Sequence, residues 1–274
     1  MKIAVLSGKG GAGKTFVAVN LAAAAGRAAY IDCDVEEPNG RLFWKPEDVR
    51  VTPVGTLLPS FDAAGCTGCK KCVEFCRFHA LLYIREKPMV FPEVCHSCGG
   101  CRIVCPEDAI RETPRQIGTL EEGRHGGVKV VTGILSPGEA SGIPVIRQAL
   151  KQAEGLTVID CPPGSACGVM ESVMGADCCV LAAEPTAFGF HNFKMVHELA
   201  ALLQKPCGVV VNKQAAPYPP LEDYCRDSGL PILGRIAYDP ELGNLLADNR
   251  IAAEESPAWG ERFRALLEKI GGCL

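Results

Sequence analysis

Apolar residues in this chain gather in short unbroken runs separated by helical stretches, rather than alternating with polar ones. Residues 2–7 form one run, ended by glycine, and residues 28–32 form another, ended by Asp32 and Asp34. Between them, residues 15–25 carry the helix formers of a crossover helix. Runs of four to six apolar residues suit parallel strands covered by helices on both faces. The rhythm lapses after residue 35 and returns after Gly127. It then predicts strands at 128–135, 156–160, 178–183, 207–211 and 232–236, and helices at 143–153, 168–174, 192–203, 221–228, 240–247 and 257–270. Residues 38–60 hold Pro38, Pro46, Pro53 and Pro59 and read as irregular connection with at most one short strand. Inside the following segment, residues 80–84 and 89–91 read as a small hairpin. A connection this long is uncommon in a compact fold unless it folds around something of its own. The expectation is therefore an α/β domain with a doubly wound, mostly parallel sheet, built from residues 1–59 and 113–274 and interrupted by a small domain at 60–112.

Composition changes the picture in two ways. The 274 residues are 47% hydrophobic and 22% charged, with a net charge of −4. That is a folded protein without the basic surplus of a duplex-coating one, so no nucleic-acid partner is expected. No apolar run reaches the ~18 residues of a membrane span, and the first residues lead into a strand without the layout of an export signal. A cytoplasmic protein with no membrane partner is expected. Cysteine is the outlier: of 16 in the chain, eight fall between Cys66 and Cys105. Without export, that density points to metal rather than disulfides.

Gly8-Lys9-Gly10-Gly11-Ala12-Gly13-Lys14-Thr15 satisfies the G-x-x-x-x-G-K-[ST] phosphate loop between a strand and a helix. Its backbone N–H groups and the helix N-terminus would cradle phosphates. Lys14 would reach the β- and γ-phosphates of ATP, and the Thr15 hydroxyl would hold Mg²⁺. Asp160 ends a predicted strand and is followed by Cys161-Pro162-Pro163-Gly164. Carboxylates at strand ends in such folds face the ligand crevice.

Lys9, at the second motif position, marks the variant loop of the MinD, ParA, Mrp and nitrogenase iron protein families, which this chain resembles. The resemblance implies that Lys9 reaches a nucleotide across a dimer interface. It also implies that Asp160 and Gly164 belong to Walker B and switch II, that Asp34 in switch I acts on the attacking water, and that Asp32 lies near Mg²⁺. Val209-Val210-Val211-Asn212-Lys213 resembles the adenine-side motif of those families, placing Asn212 and Lys213 at the base. Glu184-Pro185-Thr186-x-Phe188-Gly189 is also in keeping with them.

Cys66-x-x-Cys69-x-x-Cys72-x-x-x-Cys76 and Cys95-x-x-Cys98-x-x-Cys101-x-x-x-Cys105-Pro106 are two copies of the bacterial ferredoxin run. Zinc sites more often pair two short knuckles. In ferredoxins the fourth cysteine of each run serves the other cluster. The resemblance therefore assigns Cys66, Cys69, Cys72 and Cys105 to one [4Fe–4S] cluster, and Cys95, Cys98, Cys101 and Cys76 to a second. In nitrogenase iron protein a cysteine just after switch II helps hold a cluster shared across the dimer. Cys167 sits at a similar place with Cys161 as the nearest second ligand, raising a third, bridging cluster against the alternative of two small packed residues.

The combination resembles MinD-superfamily ATPases carrying an inserted two-cluster ferredoxin domain. Three functions then stand open: an ATP-driven electron donor, an iron–sulfur cluster carrier, and a MinD-like positioning ATPase. Carriers use a labile Cys-x-x-Cys outside any ferredoxin fold, and none is present. MinD ends in a membrane-binding helix, whereas residues 257–270 mix both charges opposite their apolar face, which suits docking on the chain's own domain. Electron transfer leads. The implied partners are a second copy or a paralogue in a nucleotide-dependent dimer, and an unidentified redox or cluster-accepting protein.

Overall fold

The computed structural model describes residues 1–273. The chain opens with β1 (Lys2–Leu6), α1 (Lys14–Ala25), β2 (Ala28–Asp32) and a short α2 (Gly40–Trp44). A long strand, β3 (Glu47–Phe61), leads to the cysteine segment, which holds α3 (Lys71–Phe75), β4 (Leu81–Ile84), β5 (Lys87–Val90) and α4 (Gly100–Ile103). Strand β6 (Ile110–His125) returns to the body and turns into β7 (Val128–Leu135), α5 (Ile143–Leu150), β8 (Thr157–Asp160) and α6 (Cys167–Met174). The remainder is β9 (Cys178–Ala183), α7 (Ala187–Leu202), β10 (Cys207–Gln214), α8 (Pro219–Asp227), β11 (Ile232–Ala237), α9 (Pro240–Ala247), α10 (Ala252–Glu255) and α11 (Pro257–Cys273).

The main sheet has nine strands in the order β11-β10-β9-β1-β8-β2-β7-β6-β3. It is parallel from β11 to β7, and β6 and β3 extend it antiparallel. The apolar runs are explained by their burial: every residue of β2 and β9 is buried. Ala4 and Leu6 of β1 enter one core, and Ile3 and Val5 enter the other. Phe263 and Ile270 of α11 are buried in the second core, with α11 lying along α1. Helix α7 begins earlier than the expected residue 192, because Thr186 Oγ1 accepts the Gly189 N–H at 3.0 Å and caps it. Among the described residues no helix is long and apolar enough to cross a membrane.

The expected irregular connection at 38–60 is the main correction. Instead of at most one short strand, β3 runs for 15 residues. It was hidden because it is an edge strand with most residues exposed, so it lacks an apolar signature, and an edge tolerates Pro53 and Pro59 without ladder N–H groups. Its ladder with β6 runs from Glu47↔Arg124 to Phe61↔Ile110, whereas β6 pairs with β7 only from Gly118 to His125. Beyond Gly118 the two strands therefore project as a ribbon that carries the cysteine segment. The register shifts between Val54 and Gly55, leaving Ile117 as an extra residue where the ribbon departs.

Candidate nucleotide site and cysteine sets

The phosphate loop joins β1 to α1 at the carboxyl end of the central strands. Two of its glycines leave no room for a side chain. Gly13 has φ +93°, and a Cβ there would collide with the Asn212 amide; one at Gly8 would collide with the Asn192 backbone. The loop borders a cleft of about 380 Å³, where Lys9, Lys14, Thr15, Asp34, Asn212 and Lys213 meet. Phe43, Tyr238, Leu242 and Leu246 supply apolar lining. This end of the cleft comes from segments far apart in the chain and carried no motif.

Lys14 is buried, with Nζ 2.7 Å from Asp160 Oδ1 and 3.5 Å from Asp34 Oδ2. Burial alone would lower its pKa, but Asp160, then Asp34 and Asp32, outweigh that and hold it above the ordinary lysine value. Burial raises the Asp34 pKa above the usual aspartate value, against the opposing pull of Lys14. The second oxygen of Asp160 accepts the Tyr30 hydroxyl at 2.8 Å. Tyr30 was missed from the sequence because within an apolar strand it reads as a core residue.

Asp32 is fully buried. Its oxygens accept the backbone N–H groups of Asp34 at 3.0 Å and Gly40 at 2.9 Å. These bonds shape the loop that presents Asp34 to the cleft. Asn212 donates from Nδ2 to Ala12 O at 2.9 Å, and Lys213 from Nζ to Gly11 O at 2.7 Å. Both brace the phosphate loop from β10. Lys9 does not extend away from the chain: its Nζ lies 2.8 Å from Glu184 Oε2 and 5.5 Å from the centre of the Phe188 ring.

Cys161 is fully buried, its thiol directed at Ile159 O, while Cys167 is exposed at the start of α6. Of the two cysteines expected to hold a bridging cluster, Cys167 is thus exposed and Cys161 is turned into the core.

The eight cysteines of the insert separate into two sets across the runs. Cys66, Cys69, Cys72 and Cys105 border one cavity, beside Phe61 and Tyr83. Cys76, Cys95, Cys98 and Cys101 border another of about 240 Å³, beside Phe75, Phe78 and Leu81. The halves repeat in backbone as well as sequence. Gly68 and Ser97, Lys70 and Gly99, and His79 and Asp108 occupy equivalent positions with positive φ. Burial pushes the Cys101 thiol up to about 11, with Cys95 and Cys98 adding to the rise. Among the described residues, no group of three or more His, Cys, Asp or Glu side chains is gathered as a site for a single metal ion.

The profile of the CobQ/CobB/MinD/ParA nucleotide binding domain matches residues 3–251. Two uncharacterized proteins of Methanocaldococcus jannaschii are similar. MJ0578 is 28% identical over 98% of this chain and 96% of its own length, and MJ0579 is 26% identical over 78% and 80%. Among solved structures, the cell division ATPase MinD of Pyrococcus furiosus superposes with a TM-score of 0.61 at 18% identity, covering 100% of this chain and 99% of that one. MinD of Pyrococcus horikoshii, complexed with Mg-ADP, gives 0.60 at 17% identity, covering 98% and 95%. A Cyanothece McdA variant in complex with ATP gives 0.59 at 14% identity, covering 98% and 96%.

Proposed function

The chain belongs to the CobQ/CobB/MinD/ParA nucleotide-binding family, and from that premise we propose that it is an ATPase coupling its nucleotide state to electron transfer through two [4Fe–4S] clusters. The observation that carries the reading is the segregation of eight cysteines into two crossed sets of four, on a ribbon that grows out of the nucleotide-binding sheet. The thiols of each set border one cavity, of about 20 Å³ for the first and about 240 Å³ for the second, without being gathered as a single-ion site, which favours a cubane over one metal ion. The clusters would supply one-electron storage. Cys69 and Cys98, in equivalent positions, are the exposed thiols of their sets and mark where electrons would leave toward a partner.

At the nucleotide site the oxygen donors suit Mg²⁺, which Thr15 and Asp160 would hold and which would neutralise phosphate charge. In this reading the nucleotide draws Lys14 from Asp160 and Asp34 onto its phosphates. Asp34, relieved of that partner, orients the attacking water, while Asn212 and Lys213 keep the loop closed beneath the phosphates. Lys9 leaves Glu184 for the nucleotide of a second copy or paralogue.

Anaerobic purification followed by iron counting and electron paramagnetic resonance, with and without ATP, tests the reading. It requires about eight irons per chain and signals from reduced [4Fe–4S] clusters. Zinc in place of iron, or signals indifferent to ATP, would overturn it. Exposure of Cys69 and Cys98 also favours a second reading, delivery of the clusters themselves. Iron leaving the protein for an apo-ferredoxin on ATP addition would select that one.

A further inference from the structure

We propose that Tyr30 is a positioning residue of the hydrolytic site, holding one oxygen of Asp160 so that the other keeps its direction toward the phosphate loop when Lys14 turns to the nucleotide. This rests on the ATPase reading above. Asp160 is a fully buried carboxylate with one side-chain donor on each oxygen: Lys14 Nζ on Oδ1 at 2.7 Å and the Tyr30 hydroxyl on Oδ2 at 2.8 Å. Lys14 has a second task, because its place in the phosphate loop commits it to phosphate oxygens. Tyr30 has none. It is fully buried on β2, in the strand next to β8, with Tyr30 opposite Val158 and Asp32 opposite Asp160.

The phenol is itself held. Trp44 of α2 lies against its ring, with centroids 5.4 Å apart. Gly40 closes over the hydroxyl so tightly that a Cβ would collide with it. The same Gly40 donates its N–H to Asp32. One contact network therefore joins the Asp160 donor to the loop that presents Asp34. Without the phenol, Asp160 would have neither oxygen bonded by a side chain once Lys14 turns to a ligand, and each unsatisfied buried acceptor costs more than an ordinary hydrogen bond returns. A rigid neutral donor avoids this without adding a charge that would compete with a metal ion.

The test is ADP affinity, read with a fluorescent ADP analogue on the intact protein, with Mg²⁺ and again in EDTA. Tyr30→Phe should leave the affinity in EDTA unchanged and reduce the gain from Mg²⁺ by about tenfold, as expected for one hydrogen bond to a charged group. Its ATP turnover in Mg²⁺ should show a lower kcat together with a raised KM. Trp44→Phe, which disturbs the packing of the ring but not its hydroxyl, should lower the melting temperature and keep the Mg²⁺ gain. A Tyr30→Phe protein with the wild-type gain overturns the proposal. So does one that fails to fold, or a Trp44→Phe protein that loses the gain equally, because either makes Tyr30 a packing residue. A wild-type protein that binds no ADP takes down the ATPase reading along with this one.

Discussion

Lys9 and Glu184 form an ion pair of 2.8 Å within one chain, brought together because β1 and β9 are neighbours in the sheet. The amine expected to serve a partner's nucleotide is thus already engaged, against a carboxylate just past the end of β9 and the ring of Phe188. A dimer that uses Lys9 must first break this pair. Glu184→Gln should therefore lower the protein concentration needed for ATP-dependent dimerisation by a factor of about two to five, the worth of a partly exposed ion pair. Lys9→Ala should abolish the dimer and spare nucleotide binding. Light scattering with a nonhydrolysable ATP analogue checks both, and dimerisation of Lys9→Ala at wild-type concentrations would remove Lys9 from the interface.

The crossed cysteine sets make a sharper prediction than a simple loss of iron. Cys66→Ser with Cys105→Ser alters one set only and should leave about four irons, whereas Cys66→Ser with Cys76→Ser touches both and should leave almost none. Iron content after anaerobic reconstitution distinguishes this from uncrossed runs, for which the two results would exchange.

Arg115 stands between the cysteine segment and the segment that borders Asp34. Its Nη1 lies 2.6 Å from Glu139 Oε2 and donates to Pro92 O at 3.4 Å, just ahead of the second cysteine run. It stands two residues from Ile117, where the ribbon leaves the sheet, and Ser136 N–H donates to Ile117 O at 2.8 Å. The segment that follows Glu139 lines an open cavity together with Asp34, Glu36 and Cys167. Hydrogen exchange in the 90–98 loop should therefore respond to nucleotide in the wild type and not in Arg115→Met. The variant should lose about 1–3 kcal/mol of stability, because the largely buried Glu139 side chain is left without its partner. An unaltered nucleotide response in Arg115→Met would place the coupling elsewhere.

Thiol reactivity should follow burial. The thiolate is the reactive form, and burial pushes the Cys161 and Cys33 thiols well up. Both are fully buried, whereas Cys167 is exposed. Iodoacetamide at a pH of about 8, followed by peptide mapping, should mark Cys167 in the native protein and reach Cys161 and Cys33 only on unfolding. Native labelling of Cys161 would contradict its burial.

Much of this molecule was determined locally and was legible for that reason. A phosphate loop needs its glycines and lysine at fixed spacing between a strand and a helix, and residues 8–15 have them. Strands buried on both faces have to be apolar throughout, which made β1, β2 and β9 readable. The doubled cysteine runs likewise declared themselves by spacing.

What only the tertiary structure decided depends on which strands become neighbours. Strand β8 lies between β1 and β2, so Asp160 meets Lys14 from one side and Tyr30 from the other, across 146 and 130 positions of sequence. Strand β3 owes its length to pairing with β6, and nothing in its own exposed, proline-containing pattern announces it. Asp32 and Asp34 are alike as sequence, yet one is turned inward to backbone N–H groups and the other faces the cleft. Spacing along the chain specifies which groups a local turn can present. Strand order and register specify which distant donor each buried carboxylate meets, and a buried charge is governed by that donor.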